Sequence, residues 1–395
     1  MERLDILIYA HDGRGLGHAS RSIAIGMALR RLFGNLRVLF VSGCAVSQEL
    51  IGRAPLDWLK LPSYCSTVVE GKIQGLAGPS GFADEELGLL RKRELENLIH
   101  LYRPRLVLVD HTPQGKHKEL VAALEASCRY NTMWVLGVRG VMGKVGQAGT
   151  TLGRGLFKKY FTALLWYGDP SVLGNEHCSH LQELYGIQPT VCGYVARLAE
   201  HSKLPGRGDG DKRQLAGTIS IPWLGEKSMQ VLHELRTALG SLESSQGSWK
   251  LFVGKSSVAE TGALETLFAS IDNCDIENFG PQYIDSLYHS KTAVIYGGYN
   301  SIVDMLCMQL PTLVIAREMQ DEEQQRHVNR LINATGGGWQ YLSESDASAT
   351  QLESRLRENL SVGITTRADI KLDGAVQAAT ELQRLLSRLS GLAAK

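Results

Sequence analysis

Short apolar runs alternate with longer amphipathic stretches along most of the chain, and this alternation predicts strands that each lead into a helix. Ile6–Tyr9, Leu36–Val41, Leu56–Leu61, Arg105–Val109, Thr132–Val138, Ala163–Tyr167 and Pro189–Cys192 read as strands of a first region. Thr218–Pro222, Trp249–Val253, Asp275–Phe279, Ala293–Tyr296 and Leu313–Ile315 read as strands of a second. Between them, Ile23, Ala24, Met27, Ala28 and Leu32 share a helical face, and Asp84–Tyr102, Met229–Leu242, Glu260–Ile271 and Tyr283–Tyr288 have helical patterns. Pro62–Phe82 reads as a long polar loop, and the chain after Trp339 as mostly helical, ending in a helix over Asp373–Leu392. Strands that alternate with helices predict an α/β fold with parallel sheets.

The charged, glycine-rich stretch 200–217 interrupts the pattern and reads as a linker. It divides the chain into a first domain over 1–199, a second over 218–372 and a terminal helix over 373–395. With 395 residues there is room for two substantial cores. A net charge of +1 gives no case for nucleic acid as a partner. Seven scattered cysteines without a CxxC pair fit a reducing compartment better than a disulfide framework. No signal-peptide core precedes the first strand and no apolar run is long enough to span a bilayer, so the expected location is the cytoplasm.

Two glycine loops carry the candidate chemistry. The strand Ala293–Tyr296 enters Gly297-Gly298-Tyr299, followed by Asn300 and Ser301 as expected N-caps of a helix with Ile302, Met305, Leu306 and Leu310 on its apolar face. A helix start of this kind attracts phosphate through its dipole and its unpaired N–H groups. Asp304 lies about a turn in, off the apolar face, where a carboxylate can accept ribose hydroxyls. The polar stretch Arg317–Arg326 reads as a loop, and its Glu323 and Gln324 suit the mixed donors and acceptors of a sugar. An ordinary strand–helix–strand unit with a solvated loop explains the same spacing equally well.

In the first region, the strand Ile6–Tyr9 leads into His11-Asp12-Gly13-Arg14-Gly15-Leu16-Gly17-His18 and then a helix. No GxGxxG occurs, so this is not a dinucleotide fingerprint. His18 is the candidate general base, because an imidazole with an ordinary pKa of about 6.5 suits proton transfer near neutrality. The bland alternative is a helix-start histidine bonded to backbone. Asp110 ends the strand Arg105–Val109, where it can orient His18, accept a substrate hydroxyl or cap the next helix; His111 reads as packing beside it. Arg139 opens a stretch to Tyr160 with five basic residues (Arg139, Lys144, Arg154, Lys158 and Lys159) and no acidic one. That run suits an anionic acceptor or weak peripheral membrane contact at 139–160, or it is a solvated face.

Gly297-Gly298-Tyr299-Asn300-Ser301, Asp304, Pro311–Ile315 and Glu323-Gln324 resemble the donor-site segment of the MurG-like glycosyltransferases, and Gly15-Leu16-Gly17-His18 resembles their N-terminal glycine loop. The strings VDHTPQG, WYGDP and CGYVAR resemble an uncharacterised branch of predicted glycosyltransferases of this type. The resemblance implies two facing Rossmann-like domains with an interdomain cleft, the GT-B fold, in which the terminal helix packs back on the first domain. It also implies an inverting hexosyl- or N-acetylhexosaminyltransferase that takes a UDP-sugar and a hydroxyl acceptor, with no metal required and no resident cofactor. The glycine turn would hold the diphosphate, Asp304 the ribose, Glu323 and Gln324 the donor sugar, and His18 the acceptor proton, with Gly15, Gly17 and Arg139 on the acceptor side. Two departures stand out. The family usually has Glu at Asp304, and Ser220–Glu226 replaces its glycine-rich loop. A nucleotide-sugar hydrolase or 2-epimerase, or a non-catalytic nucleotide-sugar-binding protein, are the alternatives. Gly254-Lys255-Ser256 mimics a P-loop end but has Trp249 where that motif needs Gly, and Glu176–His180 offers too few ligands for zinc.

Overall fold

Strands buried on both faces need no polar alternation, and the apolar runs of this chain form such strands. In the computed structural model the described residues are 2–11, 16–69, 72–76, 78–141, 149–204, 214–222, 224–242, 246–254, 258–317, 323–335, 337–362 and 369–393. The chain divides into two units, Met1–Leu204 with Lys371–Lys395, and Pro205–Ile370.

The first unit contains β1 (Ile6–Ala10), β2 (Val38–Ser42), β3 (Asp57–Lys60), β4 (Cys65–Val69), β5 (Lys72–Leu76), β6 (Leu106–Asp110), β7 (Met133–Arg139), β8 (Phe161–Tyr167) and β9 (Thr190–Val191). Seven of these make one parallel sheet in the order β3-β2-β1-β6-β7-β8-β9. The order reverses between β1 and β6, and β1, β2 and β6 are buried throughout. β4 and β5 form a separate antiparallel pair inside the stretch expected to be a loop. Their apolar positions are few and broken by Ser66, Gln74 and Gly75, too weak a period to stand out in the sequence.

The helix Gly17–Leu32 covers this sheet, and the helix Gly374–Ala393 lies beside it. Ala375, Ala378, Ala379, Leu382, Leu385 and Leu386 share one core with Ile23, Met27, Ile6 and Ile8. Each fully buried leucine there contributes about 1.5–3 kcal/mol relative to exposure. The first unit therefore needs residues from both ends of the chain. It also claims Glu200, expected in the linker: Glu200 lies in the helix Arg197–His201, is 3% exposed and accepts two bonds from Arg31 Nη2. Of the expected linker, 205–213 lies outside the described residues, and Leu215 already begins the next strand.

The second unit contains β10 (Leu215–Ile221), β11 (Ser248–Val253), β12 (Cys274–Asn278), β13 (Ser290–Tyr296), β14 (Thr312–Ala316) and β15 (Trp339–Ser343). They form a parallel sheet in the order β12-β11-β10-β13-β14-β15, which reverses between β10 and β13. After β15 the chain is mostly helical, as expected, over Ala349–Ser361 and Gly374–Ala393; in β15 itself Trp339 and Leu342 are buried while Tyr341 is only partly so. Each unit is thus a Rossmann-like layer of parallel strands and helices, with one reversal point where such sheets bind ligands.

Candidate functional site

The first unit places its candidate residues at its reversal point. Asp110 is the last residue of β6, and His18 lies in the first turn of the helix that follows β1. Asp110 Oδ2 is 2.5 Å from His18 Nδ1 and accepts a 2.9 Å bond from Arg21 Nη2. Asp110 and Arg21 are only 2% and 3% exposed, whereas the His18 side chain retains 22%. The buried groups therefore hold a partly open imidazole. Burial, then the Arg21 and Arg139 guanidiniums, keep His18 well below its ordinary pKa, so it is neutral near pH 7.

Two more imidazoles adjoin it. The His11 ring centroid is 4.1 Å from that of His18, and His111 is 5.3 Å away. Burial, then repulsion from His18 whenever that ring is protonated and from Arg139, lower the His111 pKa as well. The His111 backbone is left-handed (φ 84°), and its N–H donates to Gly137 O at 2.8 Å. Arg139 ends β7 near this group, Gly17 opens the helix that carries His18, and Gly15 lies outside the described residues.

Sequence reading missed Arg21 and His11. The available signal for Arg21 was its position one turn after His18 within a helix whose other residues from Ala19 to Leu29 are buried. An arginine on such a stretch must find a buried acceptor.

The second unit places the glycine turn at its own reversal point. Gly297 N–H donates to Ile315 O at 3.1 Å and Gly298 N–H to Tyr296 O at 2.7 Å, which fixes the turn after β13. The helix Tyr299–Met308 begins directly behind it. Its N-cap is Gly298, not Asn300 or Ser301, because extended backbone at Gly298 starts the helix early and places both inside the first turn. Gly298 itself has no side chain with which to cap this end. Asp304 is 9% exposed and buried with Ile302, Val303, Met305 and Leu306, since this helix buries more than one face. Tyr299 stacks on His327 with centroids 6.0 Å apart, and His327 is 3% exposed. His327 carries no obvious motif and was not singled out in the sequence. Glu323 and Gln324 begin the helix Glu323–Thr335, where a loop was expected, and their side chains lie outside the described residues.

The remaining candidates are dispersed. Gly225 starts the helix Glu226–Gly240, with its N–H donating to Ser228 Oγ at 2.8 Å, and Trp223 lies outside the described residues. Of the basic run, Lys144 also lies outside them, while Arg154, Lys158 and Lys159 belong to the helix Thr151–Tyr160 capped by Thr150. Among the described residues no group of three His, Cys, Asp or Glu side chains is placed to hold a metal ion. None of their helices is long and apolar enough to cross a membrane.

Solved structures share this fold across the whole chain. MurG of Acinetobacter baumannii aligns with a TM-score of 0.52 at 12% identity, covering 99% of this chain and 100% of its own. CalG4, the calicheamicin glycosyltransferase, gives 0.57 at 12% identity, over 99% and 98%. A candidate UDP-N-acetylglucosamine 2-epimerase of Listeria monocytogenes gives 0.61 at 13% identity, over 97% and 95%. No protein-family model and no curated protein matches the chain. The fold is that of MurG and other GT-B glycosyltransferases.

Proposed function

We propose that the protein is a glycosyltransferase that moves a sugar from a nucleoside-diphosphate sugar, with UDP as the carrier, to a hydroxyl acceptor with inversion at the anomeric carbon. The observation that carries this reading is the contact between His18 Nδ1 and Asp110 Oδ2 at the reversal point of the first sheet. A carboxylate on Nδ1 holds the proton there and leaves the Nε2 lone pair available, as a general base requires. The Arg21 bond to the same oxygen holds the Asp110 carboxylate in place.

In the proposed reaction the acceptor oxygen bonds to the anomeric carbon as the bond from that carbon to the diphosphate breaks. The acceptor proton passes to His18 Nε2, and the nucleoside diphosphate departs with the bonding pair. The helix start at Tyr299 carries a dipole that favours the growing leaving-group charge, so no metal is needed in this scheme. The second unit thus binds the donor, and the first deprotonates the acceptor.

The likeness to a 2-epimerase supports a second reading, in which a nucleotide sugar is hydrolysed or epimerised without an acceptor. UDP release from a panel of UDP-hexoses, measured with and without sugar acceptors, separates the two. Acceptor-dependent release that disappears in His18→Ala is expected for the transferase. Equal release with no acceptor present would instead support the second reading.

A further inference from the structure

At the end of β6, three consecutive residues each have a buried polar atom with no hydrogen-bond partner among the described residues. They are Asp110 Oδ1, His111 Nδ1 and Thr112 Oγ1. Asp110 already uses its other oxygen for both His18 and Arg21. A buried polar atom without a partner costs free energy, and most such atoms in proteins find one. Three in sequence, beside an imidazole that stays partly open, suit an occupant that brings several polar groups. The carboxylate oxygen only accepts, whereas the imidazole nitrogen and the threonine hydroxyl can play either part. Neighbouring hydroxyls on one molecule satisfy that combination.

His111 is the member whose placement is hardest to explain by packing. A left-handed backbone is uncommon for a residue with a side chain, and strain of this kind concentrates at functional positions. Its N–H bond to Gly137 O ties the strained residue to β7, so the ring is held 5.3 Å from that of His18. A histidine that only filled space would gain nothing from that backbone or from an unpartnered ring nitrogen.

We propose that His111 contacts substrate and, with Thr112 beside it, holds a second hydroxyl of the acceptor next to the one that His18 deprotonates. This rests on the transferase reading of the same site. It requires an acceptor with adjacent hydroxyls rather than an isolated alcohol or phenol.

The test uses the full chain with ¹⁵N-labelled histidine, titrated to saturation with methyl glycosides, either methyl β-glucoside or its N-acetylglucosamine counterpart. Shifts of both the His18 and His111 ring resonances are expected. A shift of His18 alone overturns the inference and leaves the transferase reading standing, whereas silence of both rings removes both. His111→Gly provides the second arm, because glycine accepts this backbone without strain. It should melt no lower than the parent, bind the glycoside roughly tenfold more weakly and bind UDP unchanged, with His111→Asn retaining part of the glycoside affinity. A lower melting temperature with unchanged glycoside affinity would make the ring a packing element and overturn the proposal.

Discussion

His18 and Arg21, one helical turn apart, meet on the same oxygen of Asp110, at 2.5 and 2.9 Å. The carboxylate orients the imidazole, and the guanidinium opposes its protonation. The two actions are separable by mutation. Asp110→Asn should lower kcat by about 10²–10⁴-fold, the range expected when general base catalysis is lost. Arg21→Gln should cost less, and it should move the acid limb of kcat/KM to higher pH, because removing a nearby positive charge raises the His18 pKa. UDP affinity by calorimetry should be unchanged in both, since neither residue belongs to the second unit, where the proposed function puts the donor.

Stability should fall on acidification. His18 and His111 both have folded-state pKa values below the ordinary 6.5, so the unfolded chain binds more protons in this window. Their contribution is complete above about pH 6.5 and is lost as pH falls below it toward the folded-state values. Melting temperature should therefore drop between about pH 7 and 5, and less steeply in His111→Gly. A parallel pH dependence in parent and variant would show that His111 does not titrate in this way.

The loop from His111 to Lys118 is anchored at its far end by a buried ion pair. Arg91 Nε donates to Glu119 Oε2 at 2.6 Å with both side chains fully buried, and Tyr64 and Tyr9 hydroxyls also donate to this carboxylate. Removing one partner leaves an uncompensated buried charge, so Arg91→Met should destabilise the protein by about 3–5 kcal/mol in urea unfolding. Exchanging both, in Arg91→Met with Glu119→Leu, should recover much of that loss.

The helix start at Tyr299 gives a prediction of opposite signs. Ser301→Asp places a carboxylate in the first turn, where it complements the helix dipole and should stabilise the free protein by about 0.3–1 kcal/mol. The same charge should repel a diphosphate and weaken UDP binding by about tenfold or more. Unchanged or tighter UDP binding would count against a diphosphate at this helix.

The sequence exposed the parallel strands because residues such as Ile6 to Ala10 and Leu106 to Val109 are buried on both faces and form unbroken apolar runs. It also placed His18 and Asp110 at strand and helix ends, where backbone order follows directly from the pattern. The β4–β5 pair and β15 escaped because polar residues and glycines dilute their period. Arg21 escaped because an arginine in a helix ordinarily points to solvent, and its burial depends on a carboxylate 89 positions away. The left-handed turn at His111 is invisible in sequence, since only the close tie to Gly137 on a neighbouring strand enforces it. The burial of Asp304 escaped for a related reason: its helical position reads as polar, yet it is only 9% exposed.

The helix Gly374–Ala393 completes the core beneath the helix of His18. A nascent chain that has emerged only as far as Ile370 carries the whole second unit but an unfinished first one. The order of maturation should then run against the order of translation, with the second unit able to close before the unit that carries His18. Truncation ahead of Gly374 would accordingly disturb the surroundings of His18, far upstream in the chain, while leaving the second unit intact.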